Sequence, residues 1–427
     1  MKYGVISYQK AVRSGGNKWT NLGDPIQSYA MVKLYEEMGI PESELVKVNK
    51  YTAKLYDGDY VVLPFNCYNM IFGQQRHNHA LPVSDKIIPV FVSFHLHTRK
   101  LDPALVQQLR SYEPIGCRDE ETLRVIRSYN IRAYLSGCVT ATLPRRKTTP
   151  KNGKVYFVDC PKSLMEYVPK HLLDDAEFVT HMPYIPRTSD DLYLTDEETR
   201  NYYELGVNQL KEYEDKAALV VTSRLHAAAP CMALGIPVIL VSENFDGRFS
   251  WIDKYLPLYT PSEFDKIDWD PAPVEYEEEK ELIKKQFMYR IRKTFEDSQP
   301  LYDCSSLYEN REREIYNKHM LESLRQVAGK TEPLKYALWG LRGETMNMHH
   351  IIEDHFPGWT LQAVIDEYST GEYEGLPIQT SKDIPQLDKD TVCFVGPEAA
   401  HEFASNVLKE NKLRCVLVKN KTQLVEI

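Results

Sequence analysis

The sequence has 427 residues, of which 43% are hydrophobic and 26% are charged. At about 150 residues per domain, this length predicts two or three domains, and the near-average composition excludes a disordered, collagenous or low-complexity chain. The 61 acidic residues outnumber the 52 Lys and Arg residues and give a net charge of −9. This excess of negative charge disfavours an extended polyanion such as a nucleic acid as partner.

The cysteines and the N-terminus indicate the compartment. The 8 cysteines are scattered without a CxxC pair or zinc spacing, so we expect reduced thiols in a cytoplasmic protein. Residues 1–8 are too short and polar for a signal peptide. Because no apolar run reaches the roughly 18 residues of a transmembrane helix, membrane contact is expected only as peripheral contact with the inner membrane surface.

Short apolar runs alternate with helix-period stretches along the chain, which is typical of α/β proteins with mainly parallel sheets. Predicted strands of the first part of the chain are 60–63, 89–94, 154–158, 217–222 and 237–241. The polar segment 144–153 contains two prolines and a glycine and predicts a linker. We therefore expect α/β domains at 1–145 and 150–330, flanking a cleft.

Two helices are expected in the last part of the second domain. Between residues 271 and 293 apolar side chains recur every four positions, including Ile283, Phe287 and Ile291, with basic residues between them. This pattern predicts an amphipathic helix with a solvated basic face, and docking to anionic lipid is the alternative. A further helix is predicted at 305–327, ended by breaker residues at 329–333.

The segment 333–427 predicts a small α/β domain with strands at 335–340, 361–366, 390–396 and 414–418. An acidic residue, Asp366, ends the second strand, as in dinucleotide-binding units. The glycine pattern is only Gly340-x-x-Gly343, short of the GxGxxG fingerprint. We therefore favour a degenerate structural or partner-binding domain over a cofactor site.

The first segment with candidate chemistry is 21–30, where Asp24 precedes Pro25. This pair predicts a helix start, because the carboxylate caps free N–H groups and proline supplies the first helical φ. A polar loop lies between the preceding strand and this helix, at the edge where α/β sheets bind ligands. Asp24 is thus a helix cap, a site residue, or both.

The second segment is 115–123, in which Asp119 is expected to cap a helix. Arg118 precedes the cap, and its guanidinium could reach the cleft as a planar fork for carboxylate or phosphate. The alternative is a surface salt bridge to Glu120 or Glu121, which would contribute under about 1 kcal/mol.

The third segment, 217–241, predicts a strand, a helix capped by Ser223 and ended by Gly235, and a second strand. Arg224 and His226 then fall in the first helical turn, where free N–H groups and the helix dipole favour an anion. This combination predicts a phosphate site with a proton donor beside it. The alternative is that Arg224 pairs with a carboxylate and His226 merely packs.

A fourth segment contains Asn66, the histidines 77 and 79, and a strand predicted to run from residue 90 through His95. A histidine at the end of a parallel strand is expected to face the site crevice, which makes His95 a candidate. The histidines 77, 79 and 95 lack ligand spacing on one helix, so no metal is predicted.

Together, Asn-x-Gly-Asp at 21–24, Arg-Asp-x-x-Thr at 118–122 and Ser-Arg-Leu-His at 223–226 resemble the polysaccharide pyruvyl transferase family over roughly the first 260 residues. The turn at Asn66 and the segment ending at His95 are similar to family features. The resemblance implies a GT-B-like fold, with two Rossmann-like domains facing a cleft. Residues 1–145 would form the acceptor side and 150–330, with returning helices, the donor side. Residues 333–427 would be a small Rossmann-like accessory domain.

The resemblance also implies transfer of an enolpyruvyl group from phosphoenolpyruvate to a sugar, forming a pyruvate ketal on a cell-surface polysaccharide or its oligosaccharide precursor. Phosphoenolpyruvate is then the donor substrate, no cofactor is expected, and the acceptor is a sugar or a lipid-linked oligosaccharide. His226 is the implied acid, with Asp24 or His95 as base. The implied substrate-binding residues are Arg224, Arg118, Ser223, Asn21, Asn66 and Arg248.

Two alternatives remain at this stage. A strand, a helix and Gly-x-Pro before the next strand recur in GT-B donor domains generally, so a nucleotide-sugar glycosyltransferase is one. A non-catalytic module that binds a phosphorylated metabolite and signals through the last domain is the other. The chain also departs from the expected pattern, because Gly137 and Cys138 stand where an acidic loop is expected.

Overall fold

The computed structural model of the chain describes residues 1–9, 20–66, 68–69, 81–97, 100–184, 194–328, 334–419 and 421–427. They divide into two compact units, Met1–Glu309 and Asn310–Ile427. The expected boundary near residue 145 and the expected start of the last domain at 333 stay predictions.

The first unit alternates short strands with helices. Its strands are β1 (Lys2–Ser7), β2 (Leu45–Asn49), β3 (Val61–Pro64), β4 (Tyr68–Asn69), β5 (Ile87–Val90), β6 (His95–Leu96), β7 (Ile115–Cys117), β8 (Ala133–Leu135), β9 (Lys154–Val158), β10 (Ala176–Val179), β11 (Ala217–Thr222), β12 (Val238–Val241) and β13 (Leu258–Tyr259). Its helices are α1 (Gly23–Glu37), α2 (Pro103–Ser111), α3 (Glu120–Ser128), α4 (Asp196–Lys216), α5 (Leu225–Ala233) and α6 (Glu277–Asp297), and α7 (Leu307–Ala328) begins at its end.

Two parallel sheets organise the first unit, which confirms the α/β class. The first has the strand order β2-β1-β3-β5 and the second β10-β9-β11-β12-β13. In the second sheet Val158 pairs with Thr222, so that β9 and β11 end side by side. Because parallel strands present their carboxyl ends at one edge, the residues that follow Val158 and Thr222 are neighbours.

The predicted strands at 154–158 and 217–222 are β9 and β11 with the same bounds. The expected strand running through His95 is wrong. The observed strand, β5, stops at Val90. Ser93 then has a left-handed φ of 57°, which interrupts the extended backbone. His95 instead lies in β6, which pairs with β4.

Helix α6 has the predicted apolar face, with Ile283, Phe287 and Ile291 fully buried. Four of its basic residues, however, bond to the protein itself. Arg290 donates to the carbonyls of Asp303 and Ser305, and Arg292 donates to that of Met38. Lys284 pairs with the carboxylates of Glu37 and Glu281, and Lys293 pairs with that of Asp297.

Lipid docking through this helix therefore loses its main support, although contact with a membrane surface stays a prediction. Across the described part of the chain, we find no helix with both the length and the apolarity needed to cross a membrane.

The second unit is built on one mixed sheet. Its elements are β14 (Lys335–Trp339), α8 (Gly343–His355), β15 (Thr360–Ile365), β16 (Glu372–Tyr373), β17 (Leu376–Gln379), β18 (Val392–Val395), α9 (His401–Glu410), β19 (Arg414–Lys419) and β20 (Gln423–Glu426). The strand order is β16-β17-β15-β14-β18-β19-β20, with antiparallel pairing only at the two outer pairs. The four predicted strands correspond to β14, β15, β18 and β19.

The carboxylate of Asp366 has a structural role in this unit. It accepts backbone N–H bonds from Leu341 at 2.8 Å and from Tyr368 and Ser369 at 2.9 Å. In a dinucleotide-binding unit the equivalent carboxylate binds a ribose. Because these bonds already engage both of its oxygens, Asp366 holds two loops together, which supports the structural interpretation of this domain.

Candidate functional site

The start of α1 is shaped by Asn21 rather than by Asp24. The Asn21 Oδ1 accepts the N–H of Gly23 at 3.1 Å, and the helix begins at Gly23. The prediction that Asp24 caps the helix is wrong, because the helix already begins at Gly23 and Asp24 therefore lies inside its first turn. Asp24 is 1% exposed and accepts a hydrogen bond from Tyr202 Oη at 3.3 Å.

Gly23 brings this helix start against His226. A Cβ added at Gly23 would lie 2.7 Å from His226 Nδ1 and 2.9 Å from its Cβ. Only glycine permits this approach, since such distances lie well inside van der Waals contact. The glycine of the first motif therefore makes room for the histidine of the third.

The Gly23→Ala substitution should therefore displace His226 or the start of α1. We expect a loss of about 1–3 kcal/mol in the free energy of unfolding, together with a fall in activity. Gly343→Ala is the matched control, because Gly343 also begins a helix and a Cβ there meets nothing within 4 Å. Chemical denaturation of both variants checks the prediction, and equal stability of the two would contradict it.

Helix α5 begins at Leu225, not after Ser223. Arg224 occupies the N-cap position, and the Ser223 hydroxyl donates to the Asp159 carbonyl at 2.7 Å. The predicted cap by Ser223 is therefore wrong, because Asp159 at the end of β9 takes its hydroxyl. Gly235 follows the helix with a left-handed φ of 73°, as expected for a glycine that ends a helix.

Arg224 forms an ion pair with Asp159. Its Nε lies 2.7 Å from Asp159 Oδ2, and the side chain remains 39% exposed. The same carboxylate oxygen accepts the backbone N–H of His181 at 3.0 Å. The alternative of a carboxylate partner for Arg224 is thus observed, but the pairing uses Nε and fixes the guanidinium at the edge of the sheet.

Arg118 and His226 are in direct contact. Arg118 NH1 lies 3.3 Å from His226 Nε2, and Arg118 is 2% exposed. Since a guanidinium can only donate, Nε2 accepts and the imidazole proton resides on Nδ1. The expected alternative of a surface pair with Glu120 or Glu121 is wrong, because Arg118 is buried and its Nε lies 3.5 Å from Asp119 Oδ2.

The surroundings of His226 favour its neutral form at neutral pH. Burial, followed by the charges of Arg118 and Arg248, holds the pKa of His226 well below its usual value of 6.5. The two guanidiniums therefore place positive charge near a neutral imidazole, an arrangement that favours an anion. A bound dianion would reverse the effect of the cations and raise this pKa.

His95 and Asp119 form a buried dyad. The His95 Nδ1 lies 2.7 Å from Asp119 Oδ2 and 3.1 Å from Thr122 Oγ1. Asp119 Oδ1 at the same time accepts the Thr122 N–H at 2.9 Å and caps α3, as predicted. His95 Nε2 is buried and has no hydrogen-bond partner among the described residues.

The dyad is tuned by opposing influences. Burial lowers the pKa of His95, Asp119 raises it, and Arg118 lowers it again, with a net result below the ordinary value. For Asp119, burial raises the pKa, but His95 and Arg118 outweigh it and leave the pKa below its usual value. The ionised carboxylate of Asp119 therefore accepts the Nδ1 proton of His95, and the Nε2 of His95 keeps its lone pair and can act as a base.

Arg248 is held by its own loop. Its Nε and NH2 bind the Asp246 carboxylate, with NH2 at 2.7 Å from Oδ2. The side chain is 43% exposed, and its charge lowers the pKa of both His95 and His226 after larger contributions from burial and Arg118. Arg248 thus lies within electrostatic reach of both imidazoles.

Asn66 is placed beside α1. It is 1% exposed, its Nδ2 donates to the Gln27 carbonyl at 3.3 Å, and its buried Oδ1 has no partner among the described residues. A direct role in binding stays a prediction. The histidines 77 and 79 fall outside the described residues, so the three-imidazole hypothesis rests on sequence alone.

The described contacts join all four predicted segments. Gly23 packs on His226, Arg118 contacts His226, and the residue after Arg118 binds His95. Sequence reasoning missed Asp159 and the second role of Asp119. Both carried a usable signal, since Asp159 follows a parallel strand directly and Asp119 sits beside a candidate arginine.

Three buried histidines make the stability of the first unit depend on pH. Burial lowers the pKa of His181 to about 4 and also lowers that of His95 and His226. Between the folded pKa and the ordinary 6.5 the unfolded chain binds more protons, so stability falls as pH drops from 6.5 towards 4.

His181 alone should contribute of the order of 3 kcal/mol to this loss. Urea unfolding at stepwise lower pH measures it. His181→Gln should flatten the dependence relative to wild type, and an unchanged slope in that variant would contradict the assignment.

The sequence model of a family described as polysaccharide pyruvyl transferase matches residues 21–244, more than half of the chain. No curated protein matches the sequence. One solved structure, of a functionally uncharacterised protein from Klebsiella pneumoniae, is 13% identical, with a TM-score of 0.35 over 58% of this chain and 88% of that one. An FpvC mutant from Pseudomonas aeruginosa is 13% identical, with a TM-score of 0.19 over 64% and 92%.

Proposed function

The chain belongs to the polysaccharide pyruvyl transferase family, and from this membership we infer that it transfers an enolpyruvyl group from phosphoenolpyruvate to a sugar. The product is a pyruvate ketal across two hydroxyls of a polysaccharide or its lipid-linked oligosaccharide precursor. We further propose that the two parallel sheets of the first unit are the two halves of a GT-B-like transferase, acting in the cytoplasm.

The observation that carries this proposal is the contact between Arg118 and His226, at 3.3 Å. It joins the second and third motifs at the start of α5, so that a guanidinium and an imidazole are in contact at a helix N-terminus. These groups favour a small dianion. Their coincidence with a separate His95–Asp119 dyad supports group transfer rather than binding alone.

The donor has a phosphate and a carboxylate on a three-carbon frame and therefore needs several cations close together. We propose that Arg118 and Arg224 bind its two anionic groups, while Arg248 closes over them from its loop. Each charge-assisted hydrogen bond contributes about 1.5–3 kcal/mol, so that a few of them suffice for micromolar affinity. The protein uses arginines because their planar forks match both groups.

His226 is the proposed acid. In the unliganded protein it is neutral, because burial and two arginines lower its pKa. A phosphate bound beside it supplies negative charge, raises the pKa and allows the imidazole to take up a proton with the substrate. His226 then protonates the methylene carbon of the donor or the departing phosphate.

His95 is the proposed base. Its Nε2 is unpartnered, while Asp119 holds Nδ1 at 2.7 Å and fixes the tautomer. Nε2 therefore accepts the proton of an attacking sugar hydroxyl. Asp24, the other proposed base, lies buried beside Tyr202, and its carboxylate stabilises the oxocarbenium-like centre that develops on the donor.

The proton balance of this reaction closes. Two sugar hydroxyls lose their protons as two C–O bonds form to the central carbon of the donor. One proton completes the methyl group of the ketal. The other leaves with phosphate when the bond between the central carbon and the phosphate oxygen breaks. His95 and His226 therefore pass protons on, and each returns to its starting state after one turnover.

Turnover with labelled donor tests this function. Incubation with radiolabelled phosphoenolpyruvate and oligosaccharide acceptors should release phosphate and transfer the label only when acceptor is present. Because the acceptor sugar is unidentified, the thermal midpoint is measured in parallel, and it should rise with phosphoenolpyruvate and not with nucleotide sugars.

Three outcomes would count against the proposal. Stabilisation by nucleotide sugars alone would indicate a glycosyltransferase. Stabilisation by phosphoenolpyruvate, with no turnover on any member of a broad acceptor panel, would indicate a binding module. Phosphate release that is independent of acceptor would indicate a phosphatase.

A further inference from the structure

A buried histidine of the second unit faces two carboxylates. His349 and Glu353 lie one turn apart on α8, and Glu374 lies in the turn between β16 and β17. One ligand atom of each lies within 4.8 Å of the other two. We propose that His349, Glu353 and Glu374 form a binding site for one divalent transition-metal ion, which is independent of the transferase site.

His349 distinguishes this cluster from an ordinary acidic patch. It is 2% exposed, and its Nε2 makes no hydrogen bond among the described residues. Glu353 Oε1 lies 3.7 Å from that nitrogen, too far for a hydrogen bond but suitable for a shared ion. A buried imidazole nitrogen without a partner normally costs free energy, and a metal ion would satisfy it.

The other ring nitrogen is already held in place. Tyr336 Oη on β14 lies 2.7 Å from His349 Nδ1. When Nδ1 donates to this hydroxyl, the lone pair of Nε2 points towards the carboxylates. Metal-binding histidines are typically held in this way by a second hydrogen bond, which fixes the tautomer and the ring orientation.

The donor set selects the class of ion. One imidazole nitrogen and two carboxylates suit Zn²⁺ or Mn²⁺, whereas Mg²⁺ and Ca²⁺ prefer oxygen ligands alone. Both glutamates are exposed, so their side chains can close on an ion without moving the backbone. The ion would join α8 to the β16–β17 hairpin.

Like charges at this position also favour a cation. Glu353 and Glu374 approach each other beside a histidine that is buried, and a divalent ion would compensate both carboxylates. The neighbouring His350 Nδ1 lies 3.5 Å from Glu353 but is 59% exposed, so it competes for this carboxylate only weakly.

Titration of the full-length protein with Co²⁺ and with Zn²⁺ tests the site. After treatment with a chelator, we expect one equivalent of Co²⁺ to bind with visible absorption bands, and Zn²⁺ to displace it. Glu353→Gln and Glu374→Gln should each weaken binding about tenfold or more, and Tyr336→Phe by about 10- to 100-fold. None of these readouts depends on transferase activity.

Matched controls separate this site from adventitious binding. The controls are Asp354→Asn and Glu372→Gln. Asp354 lies next to Glu353 on the same exposed turn, and Glu372 lies in the same hairpin as Glu374. Both should bind Co²⁺ as wild type does. Equal loss in the controls, unchanged binding in Glu353→Gln and Glu374→Gln, or the absence of any stoichiometric Co²⁺ binding would each overturn the proposal.

Discussion

Exchange of Asp119 for asparagine should lower kcat by about 10²- to 10⁴-fold, the contribution expected of general base catalysis. Asp119 Oδ2 binds His95 Nδ1 and also lies 3.5 Å from Arg118 Nε, while Oδ1 caps α3 through the Thr122 N–H. Asparagine is as good an N-cap as aspartate. The substitution therefore removes the negative charge behind His95 and beside Arg118 and leaves the helix cap in place.

The readout is a pH profile of kcat/KM together with an unfolding curve. In the wild type, activity should fall as pH drops through the pKa of His95, which lies below 6.5. Because Asp119 raises this pKa, its loss should shift the acid limb to lower pH. Asp102→Asn is the control, since Asp102 caps α2 without a histidine partner. Equal kcat in the two variants would refute the dyad.

Exchange of Arg224 for alanine should lower kcat/KM for phosphoenolpyruvate by about 10²- to 10³-fold. The loss of one charge-assisted bond accounts for about 1.5–3 kcal/mol. The Asp159 carboxylate, now unpaired at the site, adds repulsion of the anionic donor. Arg224→Lys should fall between wild type and alanine, because lysine keeps the charge and loses the fork.

A second substitution distinguishes a role of Arg224 in donor binding from a role in pairing with Asp159. Arg224→Ala combined with Asp159→Asn removes the unpaired charge, and kcat/KM should recover only partly if Arg224 binds the donor. Full recovery would instead assign Arg224 a supporting role. Arg414→Ala is the control, since Arg414 pairs with Glu426 at the same 2.7 Å and is 35% exposed. Steady-state kinetics and circular dichroism of all four variants decide between these results.

The sequence predicts regular elements better than their ends. Strands β9 and β11 match their predicted bounds because each is a buried apolar run bounded by turn residues. The start of α1 was displaced because a side chain outside the helix, that of Asn21, takes the N–H of Gly23. The strand before His95 ends early because Ser93 adopts a left-handed φ. Neither of these two local effects leaves a periodic pattern of apolar residues in the sequence.

The sequence also could not predict which side chains far apart along the chain pair with each other. The motifs located Arg118, Arg224 and His226, but not the partners that orient them. Asp159 is 65 residues from Arg224, and only the parallel pairing of β9 with β11 brings them together. Arg290 and Arg292 of α6 were misinterpreted for the same reason, because the carbonyls that bind them, those of Asp303, Ser305 and Met38, come from other segments of the chain.

The most direct test of the proposed donor site is a crystal structure of the protein with phosphoenolpyruvate. We expect the phosphate and carboxylate of the donor within hydrogen-bond distance of Arg118 and Arg224, with His226 against the phosphate and His95 Nε2 facing the central carbon. Donor bound elsewhere, or a site that remains empty at concentrations that support turnover, would contradict it.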